Sequence, residues 1–487
     1  MKAKYYLRIV VLILCGAAPI LDAQSVLRAG AATSNITPFL GTSLDGTISQ
    51  NGPAIQIHDE LHVRCLVLDD GEIRLAMVVC DSTMIDRSIY DHAKSLIEKN
   101  SGIPANRVLI SATHSHATPR VVPGLTDNPL NVEYEPFLAR RIADAVQRAV
   151  VNLAPAQVGW TSFEKPDFVF NRRWLMEPGS DMANPFGKSG DTVRMNPGRE
   201  GLIKPAGPVD PEISVLSVQH LDGRPLALLA NYSLHYIGGY QRGHVSADYF
   251  AVFANRIQEL LMSDWEKRSA GSGLSAAPFV GIMSNGTSGD VNANDFSKPR
   301  EEFAPWERMQ KVAYAIADDV YQLYPHIKYQ SNLTISMVQR ELLIAVRKPS
   351  QRQIEWAREL SKKRGVDPAK KLTRPQVYAR ETLALSKYPD EIPIVVQAIR
   401  IGDLAIASSP CETFAETGLA IKKRSPFDAT FTIELANGAD GYLPTPAQHR
   451  LGGYESWPAR SSLLAVNAEP KIRNTILELL EELKKGN

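Results

Sequence analysis

Short apolar runs bounded by turn residues alternate along the chain with stretches of helical periodicity. The β-branched runs 62–68 and 73–79 flank Asp69-Asp70-Gly71 and predict a hairpin, because glycine supplies the positive φ of a tight turn. The same pattern predicts a hairpin of 213–219 with 226–232 and another of 395–401 with 404–408. It also predicts buried strands over 108–113 and 279–283.

Apolar residues at helical spacing predict helices over 89–99, 135–153, 249–262, 306–324 and 469–485. The charged segment 347–390 predicts a helical insertion at the surface, and 164–207 predicts a long functional loop. The Gly-, Pro-, Thr- and Ser-rich region before residue 62 predicts an irregular wrap with short strands. No sequence repeat is visible. We therefore expect an α/β (or α+β) fold with a mixed β-sheet core, flanking helices and long active-site loops.

Composition narrows the classes of partner. The 487 residues are 44% hydrophobic and 22% charged, with a formal net charge of +1. These values are typical of a globular protein and argue against nucleic acid or a strongly anionic partner. We expect a small-molecule or lipid substrate. The oligomeric state stays open.

The first 23 residues have the pattern of a secretory signal peptide. Lys2, Lys4 and Arg8 precede an apolar run over 9–21, and Ala23-Gln24 is a suitable cleavage point. Leu14 before Cys15 disfavours a lipoprotein anchor. No other stretch is long and apolar enough for a membrane span. We expect an exported chain, periplasmic or secreted, without a transmembrane span after cleavage.

A histidine pair ends one predicted strand. His114 and His116, in Ser111-Ala112-Thr113-His114-Ser115-His116, share a face of an extended strand because side chains alternate with period 2. Two such imidazoles can hold zinc, or one can hold a metal while the other carries a proton. The alternative interpretation is two polar loop residues.

Other residues of metal-ligand type also follow apolar strands. His235 follows the run 228–232, Glu412 follows 405–410, and Tyr442 lies in a glycine-rich loop. A zinc ion held by two histidines and a glutamate keeps a position open for water or substrate. Taken singly, each residue has a structural alternative: a core histidine, a carboxylate at a helix start, and a core aromatic.

Several segments together resemble the neutral/alkaline (non-lysosomal) ceramidase family, over about residues 26–460. They are Leu27-Arg28-Ala29-Gly30, Asn35-Ile36-Thr37-Pro38, the segment 111–116, and Gly289-Asp290-Val291. The resemblance implies a ceramidase-like catalytic domain over 24–487. It also implies zinc-dependent cleavage of the amide bond of N-acyl sphingoid bases, a step of sphingolipid metabolism.

The resemblance also implies roles for individual residues. His114, His235 and Glu412 become zinc ligands with Tyr442 as a fourth, and His116 becomes a catalytic residue. Arg172, in Phe170-Asn171-Arg172, lines the substrate pocket. Tyr454, in the Tyr454-Glu455 pair twelve residues after Tyr442, joins the catalytic set.

Three departures from the family pattern bear on the substrate. Asn292 stands where the family has an active-site serine; it has no nucleophile but can donate a hydrogen bond to an oxyanion. Ala117-Thr118-Pro119-Arg120 replaces Ser-Gly-Pro-Gly and adds a charge to the pocket wall. The family's C-terminal β-sandwich domain is expected to be missing.

These observations favour an exported zinc amidohydrolase in which a zinc-bound water attacks an amide carbonyl. His116 would move a proton or stabilise the oxyanion, while Arg172, Asn292 and Tyr454 hold the substrate or the tetrahedral intermediate. Two alternatives stay open. One is a zinc hydrolase of the same fold acting on an N-acyl sugar, another acyl amide, an ester or a lactone. The other is a catalytically silent exported binding protein.

Overall fold

The computed structural model describes residues 26–44, 52–123, 126–187, 190–269, 279–362 and 372–486. The predicted signal peptide, 1–23, lies outside these residues. Within them, one structural unit occurs three times. Each unit begins with three consecutive antiparallel strands, the last two forming a hairpin. A helix follows, and a fourth strand then pairs parallel with the third.

The first unit contains β1 (Arg28–Asn35), β2 (His62–Asp69), β3 (Arg74–Cys80), α1 (Arg87–Ser101) and β4 (Val108–Ala112). Helix α2 (Pro129–Val151) leads to the second unit. That unit contains β5 (Ala154–Glu164), β6 (Glu212–His220), β7 (Pro225–Tyr232), α3 (Asp248–Ser269) and β8 (Val280–Asn285). Helix α4 (Glu307–Leu323) follows it.

The third unit contains β9 (Ile335–Ala345), β10 (Glu391–Ile401), β11 (Leu404–Ser408), α7 (Ala415–Arg424) and β12 (Ala429–Ile433). Helices α5 (Gln351–Lys362) and α6 (Arg374–Ser386) lie between β9 and β10, within the segment predicted as a helical insertion. Helices α8 (Pro446–Leu451) and α9 (Ala468–Lys485) come last. The repeat is structural, because equivalent strands of the three units share no visible sequence pattern.

The units form four layers. Strands β1 and β5 pair antiparallel, which joins the first two units into one eight-stranded mixed sheet of order β8-β7-β6-β5-β1-β2-β3-β4. The third unit forms a four-stranded sheet, β9-β10-β11-β12. Helices α1 to α4 cover the outer face of the large sheet, and α7 and α9 cover the outer face of the small one. The predicted fold class is confirmed, and the second sheet is an addition to it.

The main apolar core lies between the two sheets. Leu66 and Leu229 of the large sheet and Ile399 and Ile406 of the small sheet belong to one cluster and are fully buried. Burying such a side chain contributes about 1.5–3 kcal/mol. The small sheet therefore packs against the inner face of the large one.

Residues 434–437, directly after β12, connect the two edges of the large sheet. The Glu434 backbone donates to the Asn285 carbonyl at the end of β8 (3.1 Å), and the Leu435 carbonyl accepts from Ala112 at the end of β4 (3.1 Å). Asn437 donates to the Ile110 carbonyl (2.8 Å). Strands at opposite edges of the sheet are therefore brought to one place.

Four of the twelve strands of the three units were not predicted: β1, β5, β9 and β12. The predicted loop 164–207 also contains a small three-stranded sheet of Arg173–Met176, Val193–Met195 and Leu202–Pro205. Strand β1 has the composition of a loop, yet its small residues are required by packing. A Cβ on Gly30 would lie 2.1 Å from the carbonyl oxygen of Ala149, because α2 crosses directly over the strand. Among the described residues, no helix combines the length and apolarity that crossing a bilayer requires.

We expect Gly30→Ala to lower the free energy of unfolding by about 1–3 kcal/mol, because α2 must move away from β1 to admit the methyl group. Urea denaturation followed by circular dichroism measures this. The matched control is Gly198→Ala, since an added Cβ there meets nothing within 4 Å. Equal stability of the two variants would contradict the close approach of α2.

Candidate metal centre

Three loops, one from each structural unit, meet at the end of the sheets where the parallel strand pairs finish. His114 and His116 follow β4, His235 follows β7, and Glu412 follows β11. Ligand sites of α/β folds commonly lie at this end of the strands, where rigid elements hold short loops. Each loop contributes at least one side chain of metal-ligand type.

The histidine pair reaches the site by a turn. His114 has a φ of 70°, in the left-handed region, so the strand ends before the pair begins. Strand alternation, the expected reason for a shared face, is therefore wrong in detail. The rings of His114 and His116 meet edge to face, with centroids 4.6 Å apart. Backbone strain of this kind costs about 1–3 kcal/mol and persists where surrounding contacts fix it.

The three histidines form a compact group. Their candidate ligand atoms all lie within 4.8 Å of one another, and the residues are buried. His114 Nε2 lies 3.1 Å from His116 Nε2, and the His235 ring centroid lies 4.5 Å from that of His114. This group could hold a metal ion, and His116 lies close enough to the other two histidines to be a third ligand.

Backbone carbonyls fix which ring nitrogens face inward. His114 Nδ1 lies 2.8 Å from the Thr83 carbonyl, and His235 Nδ1 lies 3.2 Å from the Ser288 carbonyl. A carbonyl oxygen can only accept, so each Nδ1 carries the proton and each Nε2 presents a lone pair to the cluster. Metal-bound histidines are held in this way.

Glu412 completes the donor set. Its Oε2 lies 3.3 Å from His114 Nε2 and receives no hydrogen bond among the described residues. Two lone-pair atoms facing each other at this distance, both buried, repel unless a cation lies between them. The residues present therefore fit a divalent metal.

Burial sets the charge states. It lowers the pKa of His116 and of His235 well below the usual value, and positive neighbours, including Arg172, lower both further. Both rings are therefore neutral at pH 7, as ligands must be. Burial raises the pKa of Glu412, but the charge of Arg172 and a hydrogen bond from Tyr442 oppose this effect, and the pKa lies below its ordinary value.

Arg172 lies beside the cluster and is held by a buried ion-pair network. Its Nε donates to Glu455 (3.0 Å), one terminal nitrogen donates to the Tyr442 hydroxyl (3.0 Å), and the other lies 3.4 Å from His235 Nε2. Arg173 donates to the second oxygen of Glu455 (2.7 Å). Tyr442 pairs with Glu412 in a short parallel bridge, which places it at the site as expected.

Two other predicted residues lie at different distances from the cluster. The Tyr454 ring packs against Tyr442, with centroids 5.8 Å apart. Asn292 donates from its amide to Asn196 (2.8 Å) and accepts from the Asn294 backbone (2.9 Å). Both polar atoms of the Asn292 side chain are engaged outside the histidine group, so its oxyanion role stays a prediction.

Glu434 was not predicted and holds two of the loops together. One oxygen accepts from Asn285 (3.0 Å) and the Ser288 hydroxyl (2.7 Å); the other accepts from the backbones of Ser288 (3.2 Å) and Thr413 (2.8 Å). Burial raises its pKa well above the ordinary value. The rule that found His235 and Glu412, a polar residue after an apolar strand, would have found Glu434 had β12 been recognised.

Tyr236 and Gly289 were also missed. The Tyr236 ring stacks on His116, with centroids 3.7 Å apart, and so fixes the plane of that imidazole. A Cβ on Gly289 would lie 2.4 Å from the Glu412 carbonyl oxygen, so glycine lets the loop after β8 lie against the Glu412 backbone. Only the Gly289-Asp290 dipeptide gave a sequence signal, through the family resemblance.

We expect Glu434→Gln to weaken metal binding about 10- to 100-fold, the usual cost of disturbing groups that orient ligands. The amide NH₂ of this variant would be a donor facing two of the four groups that now donate hydrogen bonds to the Glu434 carboxylate. Competition with a chelator measures the metal affinity. The exposed Glu355→Gln is the control, and equal affinities of the two variants would contradict the orienting role of Glu434.

No protein-family model matches this chain. Neutral ceramidase B of Dictyostelium discoideum is 23% identical over 317 aligned residues, and the match covers 62% of this chain and 40% of that protein. The match thus spans less than half the length of this curated relative.

Two solved structures have the same fold. The neutral ceramidase of Pseudomonas aeruginosa superposes with a TM-score of 0.63 at 17% identity, covering 95% of this chain and 75% of that one. A ceramidase complexed with C2 gives a TM-score of 0.65 at 17% identity, covering 95% and 76%. The chain is therefore related to the neutral ceramidases and has the fold of their solved structures.

Proposed function

We propose that this protein is a zinc-dependent amidohydrolase that cleaves an N-acyl amide bond. The observation that carries the proposal is the buried group of His114, His235 and Glu412. The carbonyl contacts at Nδ1 of both histidines turn their Nε2 atoms inward, and Glu412 Oε2 lies 3.3 Å from His114 Nε2. The relationship to the neutral ceramidases supports the amide as the bond that is cleaved.

His114, His235 and Glu412 would hold the zinc, with Tyr442 beside Glu412 as the fourth or a more distant ligand. A bound zinc ion lowers the pKa of a water molecule to about 7 and polarises a carbonyl oxygen. Two histidines and a carboxylate leave a coordination position for substrate, as catalytic zinc sites require.

His116 would carry the proton in this reaction. Its buried ring is neutral at pH 7, so it can take a proton from the attacking water. The oxygen of that water forms a bond to the carbonyl carbon, and the carbon–nitrogen bond breaks. The ring returns the proton to the departing nitrogen, giving a carboxylate and a free amine. Stacking on Tyr236 holds the imidazole in place for both transfers.

Arg172 and Tyr454 would hold the oxygen on which negative charge develops. The Arg172 guanidinium is fixed by Glu455 before substrate arrives, so little reorganisation is needed during the reaction. The Tyr454 ring packs against Tyr442, whose hydroxyl accepts a hydrogen bond from Arg172. Asn292 is proposed as a more distant hydrogen-bond donor, since its amide is shared with Asn196.

We also propose that residues 1–23 direct export and that 24–487 form one catalytic unit. The proposal rests on the charged and apolar pattern of the first 23 residues. It also rests on the 95% of the chain that superposes on the solved ceramidases. The polypeptide recovered from the periplasm or medium of an expressing cell would begin near Gln24, as N-terminal sequencing would show.

We expect His114→Ala and Glu412→Gln to lose bound zinc and, with it, hydrolysis of a short-chain ceramide or another N-acyl amide. His116→Ala should retain zinc and lower kcat about 10²- to 10⁴-fold, the usual contribution of a proton-transfer group. Elemental analysis of the purified protein and a fluorescamine assay of released amine give the two readouts.

The control is His92→Ala, because His92 is exposed on α1. Stoichiometric zinc in both His114→Ala and Glu412→Gln would overturn the ligand assignment. Loss of zinc in His116→Ala would instead make His116 a ligand, which its distance to His114 permits.

A further inference from the structure

Arg120 lies at the site and has no part in the mechanism above. It begins a two-residue strand, Arg120–Val121, four residues after His116 and paired with Met84–Ile85. The intervening loop is held firmly: the Thr83 hydroxyl donates to the Ser115 carbonyl (2.7 Å), and Ser82 donates to the Pro119 carbonyl (3.3 Å). The position of Arg120 relative to His116 is therefore fixed by the fold.

The Arg120 guanidinium lacks a counter-ion within the described part of the chain. Its Nε is buried and has no hydrogen-bond partner there, and no ion pair includes it. The neighbouring Arg172 and Arg173 share Glu455 at 3.0 and 2.7 Å. A buried N–H group without a partner is costly, and such a group is commonly completed by a ligand.

The charge of Arg120 acts on two proposed catalytic side chains. Burial is the main cause of the low pKa of His116 and of the raised pKa of Tyr454, and the positive charge of Arg120 lowers both pKa values. Glu455, the residue after Tyr454, is already paired with Arg172 and Arg173.

We propose that Arg120 binds a carboxylate carried by the substrate close to its amide nitrogen, so that N-acyl amino acids are preferred over neutral N-acyl amides. This inference rests on the proposed amide hydrolysis at the same centre. The planar guanidinium presents parallel N–H donors that match the two oxygens of a carboxylate. No residue of the described structure already occupies those donors at Arg120.

The test compares two substrates that differ only in charge, N-dodecanoylglycine and N-dodecanoylglycinamide, with the zinc-loaded full-length enzyme. The wild type should cleave the acid with the higher kcat/KM. Arg120→Gln should lower kcat/KM for the acid about 10- to 100-fold, as expected when a hydrogen bond to a charged group is lost. Most of that change should appear in KM, and the amide should be cleaved as before. Arg120→Lys should fall between.

Two controls separate this result from a folding defect. Zinc content should be unchanged in both Arg120 variants, and the exposed Arg352→Gln should leave both substrates unaffected. Calorimetric titration of N-dodecanoylglycine gives a readout independent of turnover, since the wild type should bind it about 10-fold or more tightly than Arg120→Gln.

Equal kcat/KM for the two substrates in the wild type, or an equal loss on both in Arg120→Gln, would overturn the inference and leave amide hydrolysis intact. If the wild type cleaves neither substrate nor a short-chain ceramide, the proposed function fails. The titration then decides the inference by itself: tighter binding to the wild type supports it, and equal dissociation constants overturn it.

Discussion

The hydrogen bonds of residues 434–437 to both edges of the large sheet are the constraint on which the site depends. Strands β4 and β8 are the first and last in the sheet order, yet Leu435 binds the end of one and Glu434 the end of the other. The connection is made at a cost, since Leu435 and Asn437 have φ values of 49° and 64°. Without these hydrogen bonds, residues 434–437 would not hold the histidine loops of the first and second units next to each other.

Burial then determines the chemistry of the assembled group. In a region without water, histidine rings lose their affinity for protons, and lone pairs without partners become costly. The protein satisfies the outward nitrogen of His114 and of His235 with a backbone carbonyl and leaves the inward nitrogens for a cation. The carboxylate of Glu434 holds two segments at once. One contains Ser288, whose carbonyl accepts from His235, and the other is the backbone next to Glu412. The candidate ligand set, built from three loops, thus depends on groups that do not themselves face the histidine cluster.

The repeated unit explains where variation is tolerated. The parallel strand pairs and their helices set the positions of the candidate ligands, whereas the segments between the first and second strands differ in each unit. In the second unit that segment carries Arg172 and Arg173, and in the third it carries α5 and α6. A chain 17% identical to solved ceramidases can therefore keep their fold while the segments between these strands vary.

The sequence by itself determined the three hairpins, most helices, the mixed sheet and the histidine pair, because these depend on neighbouring residues and on a period of 2 or 3.6. It also indicated His235, Glu412 and Tyr442, through strand ends and family resemblance. Only the tertiary structure shows that β1 is a strand, because its small residues are required by the close packing of α2 across it. It alone revealed the second sheet, the repeat, the turn at His114 and the role of Glu434. These features arise from hydrogen bonds and packing between residues hundreds of positions apart, which no local pattern of polar and apolar residues encodes.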